Sequence, residues 1–249
     1  MPGPPARIIA LEGPSGAGKS RAARELADRL PGALLLPEAF QRLSPRPSLA
    51  VPTRATLLAV ERRLFREELR RWREAQEARA RGRPVVADTG FLGPLTYALG
   101  LAELDPSRNV VAALRAAAGR AVRNRALGVP DLTVYLSSAE ATRARRVASD
   151  PAGHPALLHP RHTAVGRREA RLWLQRWGPR LGPRFRRVAS GGPTGAYVGR
   201  IERWLAAPDG PGPLAPRGAG AQLRELLEAL PSPRARVKNG TRRGPNPRP

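Results

Sequence analysis

A strand that runs straight into a glycine-rich turn and out into a helix leaves a chain few folds to choose from. Arg7–Glu12 reads RIIALE, a short apolar run of buried-strand type. Gly13-Pro14-Ser15-Gly16-Ala17-Gly18-Lys19-Ser20 follows and fits G-x-x-x-x-G-K-[ST] at every position. KSRAARELADRL then places Leu26 and Leu30 four apart, with Ala22, Ala23 and Ala27 at helical spacing, and stops at Pro31-Gly32. In this context the turn is a phosphate cradle. Its glycines let successive backbone N–H groups point inward, and the helix N-terminus adds its positive end. Gly13 to Ser20 are therefore the expected ATP phosphate-binding residues. Lys19 is expected to reach the β- and γ-phosphates, and the Ser20 hydroxyl to reach Mg²⁺.

The position of that lysine is itself informative. Lys19 and Lys238 are the only lysines in the chain, against 44 lysines and arginines together. An ammonium is a compact point charge on a thin stem, whereas a guanidinium is a wide planar fork unsuited to the same nest.

Strand and helix alternate onward. ALLLPE (33–38) reads as a second strand, and SPRPSLAVP as loop. A long helix is expected from Thr53 to about Arg81, with Leu57, Leu58, Leu64, Phe65, Leu69 and Trp72 inward and Glu/Arg pairs on the opposite face. Pro84 to Asp88 reads as the third strand, DLTVYLSS as the fourth and FRRVASGG as the fifth, each separated from the next by helical stretches. The expected fold is α/β in three layers, with a five-stranded parallel sheet and helices on both faces. Ligands are then expected at the edge where the strands end. SDPAGHPALLHPRHTAVG carries too much proline and glycine to read as regular structure. The four tryptophans sit at helical spacings and read as core.

Charge and composition narrow the partners. The net charge is +24, which suggests nucleic acid. The arginines, however, are scattered along helices and tails, and aromatics make up only 4%, which leaves few stacking platforms. Compositional bias is the favoured reading and a nucleic-acid partner the less favoured one. There is no cysteine, so disulfides and thiolate metal sites are excluded. No apolar run is long enough for a membrane span, and a cytoplasmic location is expected. His154, His159 and His162 are close in sequence, but the intervening prolines favour exposed loop histidines over a metal cluster.

Two carboxylates stand where phosphoryl transfer needs them. Asp88 ends the third strand and is the expected Mg²⁺ ligand beside Ser20. Glu38 follows the second strand. It could act as general base on an acceptor hydroxyl or hold a metal-bound water. Glu12, directly before the turn, is a weaker candidate for the same work. Phe91 and Tyr97 could supply an apolar wall and a phenolic handle for the acceptor, or could be plain core.

From Arg7 to Ala206 the chain resembles the thymidylate kinase-like group of P-loop nucleoside and nucleotide kinases. The resemblance rests on the phosphate turn, on Glu38 after strand two, on the Glu61-Arg62 pair in LLAVERRLF, and on Asp88 with Tyr97 nine residues beyond. It implies the three-layer P-loop kinase fold and a kinase using ATP and Mg²⁺ on a nucleoside, nucleotide or similar acceptor, with Arg62 and Tyr97 on the acceptor side. It also implies an arginine-bearing lid, expected at about 143–168. There Arg145 or Arg146 would meet the transferred phosphate, with Arg161 behind. Where the group carries an arginine after the strand-three aspartate, this chain has Thr89, followed by GFLGP. That loss argues against a phosphate-bearing acceptor and for a hydroxyl compound that needs a base.

The kinase domain is expected to span 1–206, and a homodimer is compatible with it. Residues 207–249 read as a Pro/Gly/Arg-rich tail, largely disordered by composition, with one short amphipathic piece, AQLRELLEAL, that could dock on the domain or on a partner. Removing everything after Ala207 is expected to leave the catalytic unit active. Two rival readings remain: an ATPase coupled to nucleic acid, and an ATP-binding regulator without turnover. The first should place a glutamate beside Asp88, but its neighbours are Ala87 and Thr89.

Overall fold

Ile8, Ile9, Ala10 and Leu11 are all buried. A strand with no exposed face needs cover on both sides, and the architecture follows from that. The computed structural model describes residues 6–48, 53–149, 160–207 and 212–230. Five parallel strands form one sheet in the order β2-β3-β1-β4-β5. They are β1 (Ile8–Glu12), β2 (Leu34–Leu36), β3 (Val85–Asp88), β4 (Leu132–Ser137) and β5 (Phe185–Ala189).

Alternation along β1 divides the core in two. Ile8 and Ala10, with Val85 and Ala87, belong to one apolar cluster that includes Leu57, Phe65, Trp72, Leu95 and Leu114. These residues come from α3 (Arg54–Ala80), α4 (Gly93–Leu104) and α5 (Val111–Arg123). Ile9 and Leu11, with Val86 and Val134, pack against Ala22, Leu26, Val198 and Ile201. Those come from α1 (Lys19–Arg29) and α9 (Thr194–Ala206). The expected three-layer α/β sandwich is therefore present. Among the described residues no helix is long and apolar enough to cross a membrane.

β1 lies between β3 and β4, so the chain leaves it toward opposite edges of the sheet on its two sides. Such a switch point opens a crevice beyond the strand ends, and the Gly13–Ser20 turn occupies it. Short α2 (Ala39–Arg42) follows β2, and α6 (Glu140–Ser149) follows β4. α7 (Pro160–Arg171) continues through a π-helical stretch, Leu172–Trp177, into α8 (Gly178–Leu181). The irregular reading of this region is thus corrected from Pro160 onward, where proline sits at the tolerated start of a helix. The middle of the expected lid, 150–159, lies outside the described residues, as do His154 and His159. Trp72, Trp173 and Trp177 are buried as expected, the last two edge to face at 4.8 Å.

The reading of α3 needs correction. Its Glu/Arg positions do not all lie on a solvated face: Glu61, Glu67, Glu68 and Arg71 are buried. The reading of the tail needs one as well. α10 (Pro216–Glu228) packs against α5, and Ala219, Leu223, Leu226, Leu227 and Leu230 are buried in the larger cluster. Trp177 Nε1 donates to Leu226 O at 3.2 Å. Asp131, 1% exposed, fastens this segment. Its carboxylate accepts from the N–H of Ile8 at 2.7 Å and from that of Leu214, while Arg79 lies 3.5 Å away. The folded unit therefore runs past residue 206. The rest of the expected tail, 208–211 and 231–249, lies outside the described residues.

Each buried leucine contributes about 1.5–3 kcal/mol, so α10 carries a share comparable to the stability of a whole domain. A chain ended at Ala207 should lose cooperative thermal unfolding, or lose at least about 10 °C in Tm. A chain ended at Leu230 should melt within a few degrees of the full-length protein, as measured by calorimetry.

Candidate active site at the strand ends

The turn after β1 has the backbone its sequence demands. Gly13 has φ +137°, and a Cβ there would run into Leu136 O of β4. Gly18, at the N-cap of α1, has φ +92°. The Ala17 N–H donates to Pro14 O at 3.1 Å and closes the turn. Lys19 Nζ donates to Gly13 O at 2.8 Å and to Pro14 O at 3.2 Å, which holds its ammonium over the loop. Ser20 lies in the first turn of α1.

Asp88 is 3% exposed, and its Oδ1 has no hydrogen-bond partner among the described residues. An orphaned, buried carboxylate oxygen beside the turn fits a bound divalent cation. Asp88 and Ser20 therefore suit Mg²⁺. Thr89 has φ +71°, left-handed backbone that costs a threonine roughly 1–2 kcal/mol. Arg71 holds it there. Fully buried, it pairs with Glu68 and donates to Asp88 O at 3.0 Å and Thr89 O at 2.9 Å. Arg71 thus sets the exit of β3 from within α3.

Further carboxyls gather around this point. Glu38 is the N-cap residue of α2. Burial raises its carboxyl above the usual range, Lys19 opposes the shift, and Asp88 adds to it. Glu12, 5% exposed, accepts from the Gly90 N–H at 3.0 Å. A Cβ on Gly90 would meet the Glu12 Oε1, so a larger residue there would displace that carboxyl. Burial lifts Glu12 to about 8 despite Lys19. Glu169, on α7, accepts from Thr96 Oγ1 at 3.1 Å, and burial lifts it to about 7. Glu61 is 3% exposed, and burial, then Glu169, push it well above the ordinary value. The half-buried Tyr97 is pushed up to about 12, first by burial and then by the charges of Glu61 and Glu169. Its ring stacks on His162, with centroids 6.1 Å apart. His162 is thus a helical, half-buried residue rather than an exposed loop histidine.

Glu38 lies within the field of Lys19 and Asp88, and Tyr97 within that of Glu61 and Glu169. Other assignments move. Phe91 is 2% exposed and packs edge-on against Trp72 at 5.0 Å, so it belongs to the core beneath the site. Arg62 is exposed, and its neighbour Glu61 is the residue turned inward. Arg145 is exposed too. Arg146 donates to Gly16 O and Ala17 O at 3.4 and 3.3 Å and to Ser190 O at 2.7 Å, which makes it a brace for the loop. Arg161 pairs with Asp105 at 3.1 Å. Sequence reasoning passed over Glu68, Arg71, Thr96 and Glu169 as site residues. Glu61, Glu68 and Arg71 recur at three- and four-residue spacing on the stripe of Leu57, Phe65 and Trp72, and that signal was available. Glu169 offered none, because only the packing of α7 on α4 brings it in.

These carboxyls make stability depend on pH. Glu12, Glu68 and Glu169 hold protons up to about 8, 7 and 7 when folded, mainly through burial, but ionise near the ordinary glutamate value when unfolded. Between those limits the unfolded chain binds fewer protons, so stability falls as pH rises. The ligand-free protein should lose Tm steadily from pH 5 to 8, and Glu169→Gln should flatten that slope.

Comparison with other proteins shows the family and the fold. Residues 8–149 match the AAA domain family. Deoxyadenosine kinase from M. mycoides with bound dATP superposes with a TM-score of 0.63 at 15% identity, covering 81% of this chain and 100% of that one. Thymidylate kinase from Candida albicans superposes with a TM-score of 0.58, also at 15% identity, covering 81% and 91%. No functionally curated protein matches. With the phosphate turn, the 2-3-1-4-5 sheet and the matched stretch in agreement, the chain belongs to the AAA domain family of P-loop proteins and has the nucleoside and nucleotide kinase fold.

Proposed function

We propose that the protein is an ATP-dependent kinase that phosphorylates a hydroxyl group on a small acceptor. One observation carries the reading: Glu38, after β2, shares the electrostatic field of Lys19 and Asp88. A carboxyl raised by burial is suited to take a proton near neutral pH. It stands beside the groups that suit a polyphosphate. The fold shared with a deoxyadenosine kinase and a thymidylate kinase supports a nucleoside or a similar alcohol as acceptor.

The residues divide the work as follows. Amides of the 13–20 turn and Lys19 hold the β- and γ-phosphates, with Lys19 exchanging the Gly13 and Pro14 carbonyls for phosphate oxygens. The acceptor oxygen attacks the γ-phosphorus while its proton passes to Glu38. The bond from the γ-phosphorus to the bridging oxygen breaks, and that oxygen leaves with ADP. Mg²⁺ held by Asp88 and Ser20 would supply charge neutralisation across the phosphates. Arg146 keeps the outer wall of the loop in place, and α6 and α7 flank the site against water.

A coupled assay for ADP release tests the reading. Release that requires a small alcohol supports it. Release driven by DNA or RNA and suppressed steeply by salt supports the nucleic-acid-coupled reading, which the +24 charge favours. Lys19→Ala should reduce kcat by at least ~100-fold, with Tm within a few degrees of the unaltered protein. Glu38→Gln should reduce kcat by about 10²–10⁴ with ATP affinity retained. Near-normal turnover in Glu38→Gln would remove the base from the mechanism.

A further inference from the structure

The site is acidic within a strongly basic chain. Glu12, Glu38, Glu61, Glu68, Asp88 and Glu169, from a chain with 20 acidic residues, meet at the strand ends and the helices over them. Four of these have uses already described. Glu12 holds Gly90, Glu68 holds Arg71, Asp88 suits the metal and Glu38 suits the acceptor proton. Glu61 and Glu169 remain.

Glu61 is 3% exposed, and its Oε2 has no hydrogen-bond partner among the described residues. α3 and α7 both pack against α4, Glu169 of α7 accepts from Thr96 Oγ1 of α4 at 3.1 Å, and Tyr97, next along α4, lies within the field of both Glu61 and Glu169. Neither Glu61 nor Glu169 has an ion-pair partner among the described residues. The nearby cations are committed. Arg71 serves Glu68 and three main-chain carbonyls. Arg168 and Arg171 meet Glu103, and Arg161 meets Asp105. The described carboxylates are not grouped to hold a metal ion. Burying such a carboxyl without a partner is costly, and the cost is recovered when a cation arrives with hydrogen-bond donors.

We propose that the acceptor is a cationic alcohol, with its ammonium seated against Glu61 and Glu169 and the hydroxyl to be phosphorylated turned toward Glu38. This rests on the kinase reading and names its substrate class. An ammonium brings several donors and the charge that two carboxylates lack. A neutral nucleobase brings donors without the charge. An acceptor phosphate is repelled, and Thr89 offers it no cation in the position where related kinases carry arginine. Tyr97 adds a phenolic hydroxyl to the same wall, and Thr96 holds Glu169 in place.

The experiment is ADP release by the full chain with ATP and Mg²⁺ over matched acceptors: glucosamine against glucose, an aminocyclitol against myo-inositol, and deoxyadenosine as neutral nucleoside. At least one amine should exceed its neutral counterpart by at least ~100-fold in kcat/KM. Glu61→Gln and Glu169→Gln should each raise KM for that amine at least ~10-fold, with kcat largely kept, because they bind the remote ammonium. Turnover of deoxyadenosine or a neutral alcohol with no gain from the amine overturns the cationic acceptor and leaves the kinase reading standing. No ADP release with any acceptor overturns both. An amine preference unmoved by either variant overturns the assignment to these two glutamates.

Discussion

The ends of β3, β1 and β4, brought side by side, are the constraint on which the rest of the molecule depends. β1 is buried on both faces and must be covered by helices from both sides. Its C-terminal end therefore opens at the only place where the crossovers diverge. Gly13 lies against the Leu136 carbonyl of β4, and Gly90 lies against the Glu12 carboxyl. The end of β1 is thus held from both neighbouring strands, and the contact at Gly13 leaves no room for a Cβ. A loop held this way has its amides aimed before any ligand arrives, which is the basis of electrostatic preorganisation.

Around that grip the protein accepts charges that do not help it fold. Carboxyls of Glu12, Glu61, Glu68 and Glu169 are held in places where burial disfavours their ionised forms. Among the described residues only Arg71, pinned between Glu68 and the carbonyls after β3, offers a buried countercharge. Left-handed Thr89 adds backbone strain at the same exit. Strain and buried ionisable groups are thus concentrated at one edge of the sheet, where packing alone would favour apolar side chains. Stability to support them comes from elsewhere, notably from α10 and the Asp131 anchor that ties the C-terminal segment to the start of β1.

Much of this was legible from residue order. The turn with its lone lysine, the strand ending in Asp88 and the long helix expected from Thr53 to about Arg81 are local signals, and all appear where the residues predicted them. Helix α3 shows where local signals fail. Its Glu and Arg residues look like an exposed, salt-bridged face, because charged residues are rarely buried. Their burial depends on Asp88, Thr89 and α7, which come from distant parts of the chain. Phe91 and Arg62 were drawn to the acceptor side by sequence proximity to Tyr97 and Glu61. Packing turned Phe91 onto Trp72 and left Arg62 outside.

By itself the sequence determined the phosphate cradle, the alternation of strand and helix and so the layered sheet, because these depend on backbone geometry and hydrophobic period over a few residues. Only the tertiary structure decided which carboxyls share the site, which arginines brace it, and that α10 belongs to the core. Those outcomes are set by contacts between elements far apart in the chain. Charge, burial and partner at such contacts depend on three-dimensional neighbours that no local pattern specifies.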